Sequence, residues 1–299
     1  MNMKSGNLKG LLQLFFLLIA TGVVISCKDE DPNAQLNNEI KAIDEFLVQL
    51  NNDDLKLIDA TGIRMIIHGI GEMPSPKTGQ TVKVTYNAKL FSDASTFSSG
   101  TITDKLENIA PEGLRYSLTA LLGSSNATLF IPSKYGYGET GTTGVPPNST
   151  LVYEVILDEV VPTAAQQTQF TVDTTAIHQY LISNNIQNAI KHSSGVWYTI
   201  DAIGTGTSSR PYDNVSFDYT VKIMSNGSVV QTETFGGYVF DLIEGLKVTL
   251  SKVREGGAAT FYIPSGLGYG PEGSPPGKIP ANANLIFTIK LNSVVPFGS

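Results

Sequence analysis

Two stretches of this chain nearly repeat each other. Phe130-Ile131-Pro132-Ser133-Lys134-Tyr135-Gly136-Tyr137-Gly138 is followed by Val145-Pro146-Pro147-Asn148-Ser149. Tyr262-Ile263-Pro264-Ser265-Gly266-Leu267-Gly268-Tyr269-Gly270 is followed by Ile279-Pro280-Ala281-Asn282-Ala283. Each reads as a strand, a Gly-Tyr-Gly corner, a loop and a Pro-led return strand. Other pairs keep the offset. Ala42 to Leu47 and Ala176 to Leu181 stand 134 positions apart, Tyr86 and Tyr219 133, Tyr137 and Tyr269 132, and Tyr153 and Phe287 134. A near-constant offset held over more than 100 residues is a tandem duplication. Two copies of that length exclude a short-period solenoid. The fold must therefore close a core within roughly one domain's length, and do so twice.

Each copy opens with a helical pattern. Ile40, Ile43, Phe46, Leu47 and Leu50 recur at three- and four-residue spacing. In the second copy Asp173 is placed as an N-cap before Ile177, Tyr180 and Leu181. Asn51-Asn52 and Asn184-Asn185 mark the helix ends. Strands follow at 63–67 and 196–200, then Gly-rich turns, then alternating strands in which Val82, Val84 and Tyr86, or Val215, Phe217 and Tyr219, share one face. A short helix buries Leu114, Leu118 and Leu121 in one copy and Leu246, Leu250 and Val253 in the other, with Gly123 and Gly256-Gly257 as stops. The last strands span 151–157 and 285–291. The expected class is α+β: in each copy an antiparallel sheet curled around a short helix, with a further helix in front.

The first 27 residues read as an address. Lys4 and Lys9 precede the apolar run Leu11 to Ala20, which has the layout of a secretory leader. The run is near the lower length for a membrane span and is interrupted by Gln13, Thr21 and Gly22. It ends Val24-Ile25-Ser26-Cys27, which resembles the bacterial lipobox, where the Cys becomes the lipidated N-terminus. That resemblance implies an outer-membrane lipoprotein held through Cys27, on the cell-surface or the periplasmic face. The acidic run Lys28-Asp29-Glu30-Asp31 that follows favours the surface. The expected organisation is a leader over 1–27, a tether over 28–37, a first domain over 38–162, a Gln/Thr/Ala-rich linker over 163–172 and a second domain over 173–299.

Cys27 is the only cysteine, so an internal disulfide or a cysteine metal site is excluded. The three histidines, His68, His178 and His192, have no ligand spacing, and neither a metal nor a histidine-based nucleophile is expected. A net charge of −7 without a basic run argues against nucleic acid as a partner. No cofactor is expected.

The corner motif and its Pro-led return strand resemble the FKBP-type peptidyl-prolyl cis-trans isomerases, over roughly 62–162 and 195–296. The resemblance implies the fold described above and an apolar pocket for an X-Pro bond in proline-containing polypeptides. It also implies a homodimer paired through the N-terminal helices, as in exported bacterial members. Carried onto the first copy, the pocket comprises Tyr86, Phe97 and Tyr153 as walls, Leu114 as floor, Val145, and Tyr137 as donor to the substrate carbonyl. In the second copy the matching residues are Tyr219, Val230, Leu246, Tyr269, Ile279 and Phe287, with the Ile243 backbone N–H as a further donor.

The chain also departs from the family pattern. Both floors are Leu where Trp is usual. Ser98 and Gln231 stand where an Asp often follows the wall Phe, and Val230 stands at that Phe's position in the second copy, unless Phe235 or Phe240 swings in. The first copy's N–H donor falls on Ala110 or Pro111, and Pro has no N–H. Two functions are therefore expected from the resemblance. The first is a prolyl isomerase that assists folding of exported proteins. The alternative is a catalytically weak, chaperone-like peptide-binding module of a surface assembly.

Overall fold

The computed structural model describes residues 31–50, 55–58, 60–275 and 277–297. The leader, Cys27 and the start of the expected tether lie outside the described residues, as do Asn51 and Asn52. The chain divides into two compact units. Unit 1 holds the chain up to Gly71 together with Pro76–Val160; unit 2 holds Glu72–Ser75 and Val161–Ser299.

Unit 1 runs α1 (Ala34–Gln49), β1 (Leu55–Ile58), β2 (Arg64–Gly69), β3 (Thr81–Leu90), β4 (Thr96–Lys105), α2 (Glu112–Thr119), β5 (Asn126–Ile131) and β6 (Leu151–Val161). Unit 2 repeats this as α3 (Ala164–Ser183), β7 (Ile190–Lys191), β8 (Trp197–Ala202), β9 (Asn214–Ile223), β10 (Val229–Tyr238), α4 (Glu244–Thr249), β11 (Ala258–Ile263) and β12 (Leu285–Val295). The sheet orders are β1-β2-β5-β6-β3-β4 and β7-β8-β11-β12-β9-β10, so the topology is the same twice. The α+β class expected from the sequence is the one observed.

The central strands are apolar on both faces because both faces are covered. In unit 2, Phe261 and Ile263 on β11 and Phe287, Ile289 and Leu291 on β12 point inward and pack with Leu246 on α4. The intervening Tyr262 and Ile286 point the other way and meet Ile177 and Leu181 of α3. Alternation along a strand sends neighbours to opposite faces, so one strand feeds two cores. Unit 1 repeats the outer core: Ile43, Phe46 and Leu47 of α1 pack on Ile66, Phe91, Phe130 and Val152. Each unit is thus three layers deep: a long outer helix, the sheet, and a short inner helix. Trp197 belongs to the outer core, with its ring 5.9 Å from that of His178.

The structure corrects four expectations. Residues 163–172 are not a linker: α3 starts at Ala164, and Thr163 caps it. The Thr163 side chain accepts from the Gln166 N–H, while the Gln166 side chain accepts from the Thr163 N–H, a reciprocal capping box. Asp173 is therefore mid-helix, and buried, rather than an N-cap. Residues 34–37 of the expected tether are helical, as the first turn of α1. Helix α2 ends at Thr119, so Leu121 and Leu122 are buried by the turn beyond it and Gly123 is no helix stop. Among the described residues, no helix is long and apolar enough to cross a membrane.

Candidate functional site

The Gly-Tyr-Gly corners are built by backbone hydrogen bonds. After β5 the chain makes one tight turn at Ser133–Tyr135, and after β11 another at Ser265–Leu267. The Ser133 carbonyl accepts the N–H of Gly136 and of Gly138, each at 2.9 Å, so both glycines beside Tyr137 hang from one atom. The Ser265 carbonyl accepts the Gly268 N–H at 2.9 Å. Gly138 and Gly270 have φ of 59° and 61°, a left-handed conformation that a side chain disfavours. Their carbonyls then accept the N–H of Asn148 and Asn282 at 2.8 Å, closing each loop onto its return segment.

In unit 1 four of the expected residues form one aromatic group. The ring of Phe97 meets those of Tyr137 and Tyr153 edge to face, with centroids 6.4 and 6.1 Å apart, and Tyr86 lies 6.0 Å from Tyr153. Tyr86 and Phe97 come from β3 and β4 and Tyr153 from β6, so three strands and the corner converge. Leu114 on α2 and Val145 in the loop are fully buried core residues. Burial of Tyr153 first, and the neighbouring Tyr137 hydroxyl second, push its pKa far above the ordinary phenol range. Ser98 accepts or donates at 2.9 Å to the Tyr86 hydroxyl, so the position that departs from the usual Asp is used within the site.

In unit 2 the seven expected residues Tyr219, Val230, Ile243, Leu246, Tyr269, Ile279 and Phe287 belong to one apolar cluster. Tyr219 stacks on Phe287 at 6.0 Å. Phe235 stacks on Phe217 at 5.1 Å, and Phe240 stacks on Tyr212 at 5.5 Å. The wall position is thus left to Val230. A cavity of about 200 Å³ opens between Val230, Gln231, Tyr269, Pro275, Lys278 and Ile279. That is smaller than a site for a drug-sized ligand and suits a single ring. A larger hollow of about 460 Å³ is lined by Tyr219 and Ile289 together with polar residues such as Asp218, Thr220, Thr234 and Lys290, and Tyr269 is not among its walls. Burial raises the Tyr269 pKa; burial, and then the nearby Glu233, raise that of Tyr219.

The helix starts align the two units at this position. Ile243 is the N-cap of α4 and Pro111 that of α2, each just before a Glu-Gly-Leu run. The counterpart of Ile243 in unit 1 is therefore Pro111, not Ala110, and it carries no N–H. Two features escaped the sequence reading. One is the Tyr153–Tyr137 pairing, which has no counterpart at Phe287. The other is the anchoring role of Ser133 and Ser265, whose signal was the Pro-Ser pair present in both corners. Among the described residues no group of His, Cys, Asp and Glu is arranged to hold a metal.

The model of the FKBP-type peptidyl-prolyl cis-trans isomerase family matches residues 73–158 and 206–292, more than half of the chain. A probable isomerase of this type, FkpA, from Neisseria meningitidis is 32% identical over 117 residues, covering 38% of this chain and 43% of the relative. FkpA from Escherichia coli K12 is 32% identical over 107 residues, covering 34% and 39%. The chain thus spans less than half the length of these curated relatives. The crystal structure of Escherichia coli FkpA aligns at a TM-score of 0.38 and 23% identity over 44% of this chain and 64% of that one. The duplication, the shared topology and the two matched regions have one meaning: the chain belongs to the FKBP-type peptidyl-prolyl cis-trans isomerase family and carries its domain twice.

Proposed function

We propose that each unit binds an X-Pro segment of an exported polypeptide and speeds its cis-trans isomerisation. The observation that carries this reading is the convergence, in both units, of the corner phenol with apolar and aromatic side chains: Phe97 and Tyr153 near Tyr137, and Tyr219, Val230 and Phe287 in one cluster with Tyr269. Rotation about the imide breaks amide resonance against a barrier of about 18–20 kcal/mol. Uncatalysed exchange takes tens to hundreds of seconds. The twisted imide is less dipolar than the planar one, so a dry apolar pocket favours it relative to water. A fixed donor then holds the carbonyl as it turns. Tyr137 and Tyr269 supply that donor, and the Ile243 N–H supplies a second in unit 2. Tyr86, Phe97 and Tyr153, or Tyr219, Val230 and Phe287, exclude water around Leu114 or Leu246. A protease-coupled assay on a proline-containing peptide tests this: turnover by the full chain should fall severalfold in Tyr137→Phe/Tyr269→Phe. Unchanged turnover would refute the pocket mechanism.

A second reading is favoured for unit 1 by one observation, the missing N–H at Pro111. With full aromatic walls and one donor fewer, unit 1 is the better holder and unit 2 the better catalyst.

We also propose that Cys27 is lipidated and holds the chain at the outer membrane, on the surface or the periplasmic face. The support is the leader pattern and the lone cysteine. Cys27→Ser should move the chain out of the membrane fraction; continued sedimentation with membranes would overturn the reading. Pairing of two chains through α1 or α3 would have to use the faces opposite the sheet. The inner faces are spent on the unit's own core, and the outer ones expose Val48 on α1 and Val172 and Ile182 on α3.

A further inference from the structure

Each outer helix sends one buried carboxylate into the corner of its own unit. On α1 it is Glu39, 7% exposed; on α3 it is Asp173, 2% exposed. Glu39 accepts from the Ser133 N–H at 2.5 Å and from the Ser133 hydroxyl at 2.6 Å. Asp173 accepts from the Ser265 N–H at 2.9 Å and from its hydroxyl at 2.6 Å. A glutamine one turn earlier completes each set: Gln35 donates to Glu39 at 2.5 Å and Gln169 to Asp173 at 2.8 Å. The two acids stand 134 positions apart, as do the two glutamines, which is the offset of the duplication itself.

Burying a carboxylate is costly unless donors surround it. A neutral apolar side chain at either position would join the helix to the sheet without that cost. The direction of the bonds shows what the charge achieves. It holds the N–H and hydroxyl of the serine whose carbonyl holds the corner. In unit 1 the chain is continuous, from Glu39 through the Ser133 N–H and carbonyl to Gly136 and Gly138, the two neighbours of Tyr137. In unit 2 it runs from Asp173 through Ser265 to Gly268 beside Tyr269. Asn284 braces it by accepting from the Ser265 N–H at 3.0 Å and donating to the Asp173 carbonyl at 3.4 Å.

We propose that Glu39 and Asp173 are positioning residues for isomerisation: each fixes the serine from which the Gly-Tyr-Gly corner hangs, and so fixes the phenol over the pocket. The outer helix is on this view part of the catalytic unit, although it lies on the far side of the sheet from the pocket. The proposal rests on the corner tyrosines being the substrate's donors, and its test separates the two ideas.

The test uses the full chain with Glu39→Gln and Asp173→Asn together, which keeps shape and removes charge. Tyrosine rings are labelled with carbon-13, and turnover is measured on a proline-containing peptide well below the unfolding temperature. The expected result is a fall in kcat of roughly five- to tenfold with KM changed less than about twofold, the signature of a misplaced group rather than a lost contact. The Tyr137 and Tyr269 ring signals should move while those of exposed Tyr116 and Tyr238 do not. If this variant fails to fold, Ser133→Ala/Ser265→Ala, which removes only the hydroxyls, should move the same two signals. Unmoved corner signals overturn the proposal, and so does an unchanged kcat in a variant with a lowered unfolding temperature. If the parent chain shows no turnover, the isomerase reading fails, and the ring signals alone decide whether the carboxylates set the corner.

Discussion

The two corner tyrosines are matched in sequence but not in surroundings, and the difference predicts unequal costs for one substitution. Tyr137→Phe removes the phenol beside the Tyr153 hydroxyl, and Tyr153 is a residue only 2% exposed. The nearest other phenol, Tyr86, is already engaged with Ser98 at 2.9 Å. A buried hydroxyl left without a partner costs about 1–3 kcal/mol. Tyr269→Phe orphans no such hydroxyl at the equivalent wall position, because Phe287 stands there. Unit 1 should therefore lose about 1–2 kcal/mol in the first variant and unit 2 almost nothing in the second. For a unit of this size 1 kcal/mol lowers the midpoint by roughly 4 °C. Scanning calorimetry of the full chain gives both transitions, and fluorescence of the lone Trp197, in unit 2, says which is which. Adding Tyr153→Phe to Tyr137→Phe removes the orphan and should recover most of the loss, closing a double-mutant cycle with a coupling of about 1 kcal/mol. Equal shifts for Tyr137→Phe and Tyr269→Phe, or no recovery in the double variant, would refute the reasoning.

Two further predictions concern unit 2. Ile243 has φ of −61° and the preceding Leu242 is extended at ψ 167°, so Ile243→Pro fits the backbone; it deletes the N–H and exchanges the isoleucine side chain for a smaller apolar ring. It should leave the unfolding midpoint within a few degrees and lower kcat/KM by about tenfold, the value of one oriented donor; full activity in a peptide assay would remove Ile243 from the site. His192 is buried, and burial first, then Lys252, lower its pKa below the ordinary 6.5. The unfolded chain thus takes the proton first, so unit 2 is at full stability above about pH 6.5 and loses it as pH falls from there through the lower folded value. Trp197-detected denaturant titrations should show this acid slope in the parent and lose it in His192→Gln; an equal slope in both would assign it to other groups.

Much of this was legible in the sequence, and the omissions have physical causes. The repeat offset located both domains because it needs no knowledge of structure. The proposed pocket residues followed from the family resemblance, and in unit 1 the structure brings the rings of Tyr86, Phe97, Tyr137 and Tyr153 together. The start of α3 was missed because Gln, Thr and Ala on an exposed helical surface look like linker composition. The Thr163…Gln166 capping box was the signal that outweighed it. Strands β4 and β10 carry few buried residues, so no apolar alternation announces them. Glu39 was hidden by its chemistry, since an acid between apolar helix positions reads as surface until a donor across the fold is seen.

What the two units share and what they vary separates the necessary from the adjustable. Both keep a carboxylate bonded to a serine whose carbonyl accepts from the glycine before the corner phenol, Gly136 or Gly268, with a left-handed glycine after it, Gly138 or Gly270. They differ at the wall, Phe97 against Val230; at the second hydroxyl, Tyr153 against Phe287; and at the backbone donor, Pro111 against Ile243. Each unit thus gives up a different contact while holding the same group in place. Wall and donor losses change how tightly a given peptide is gripped, and each is worth a few kcal/mol at most. If the corner phenols hold the carbonyl as proposed, misdirecting one removes an oriented donor that no gain in apolar contact replaces. On that reading, one corner with two linings serves different proline contexts by the same step.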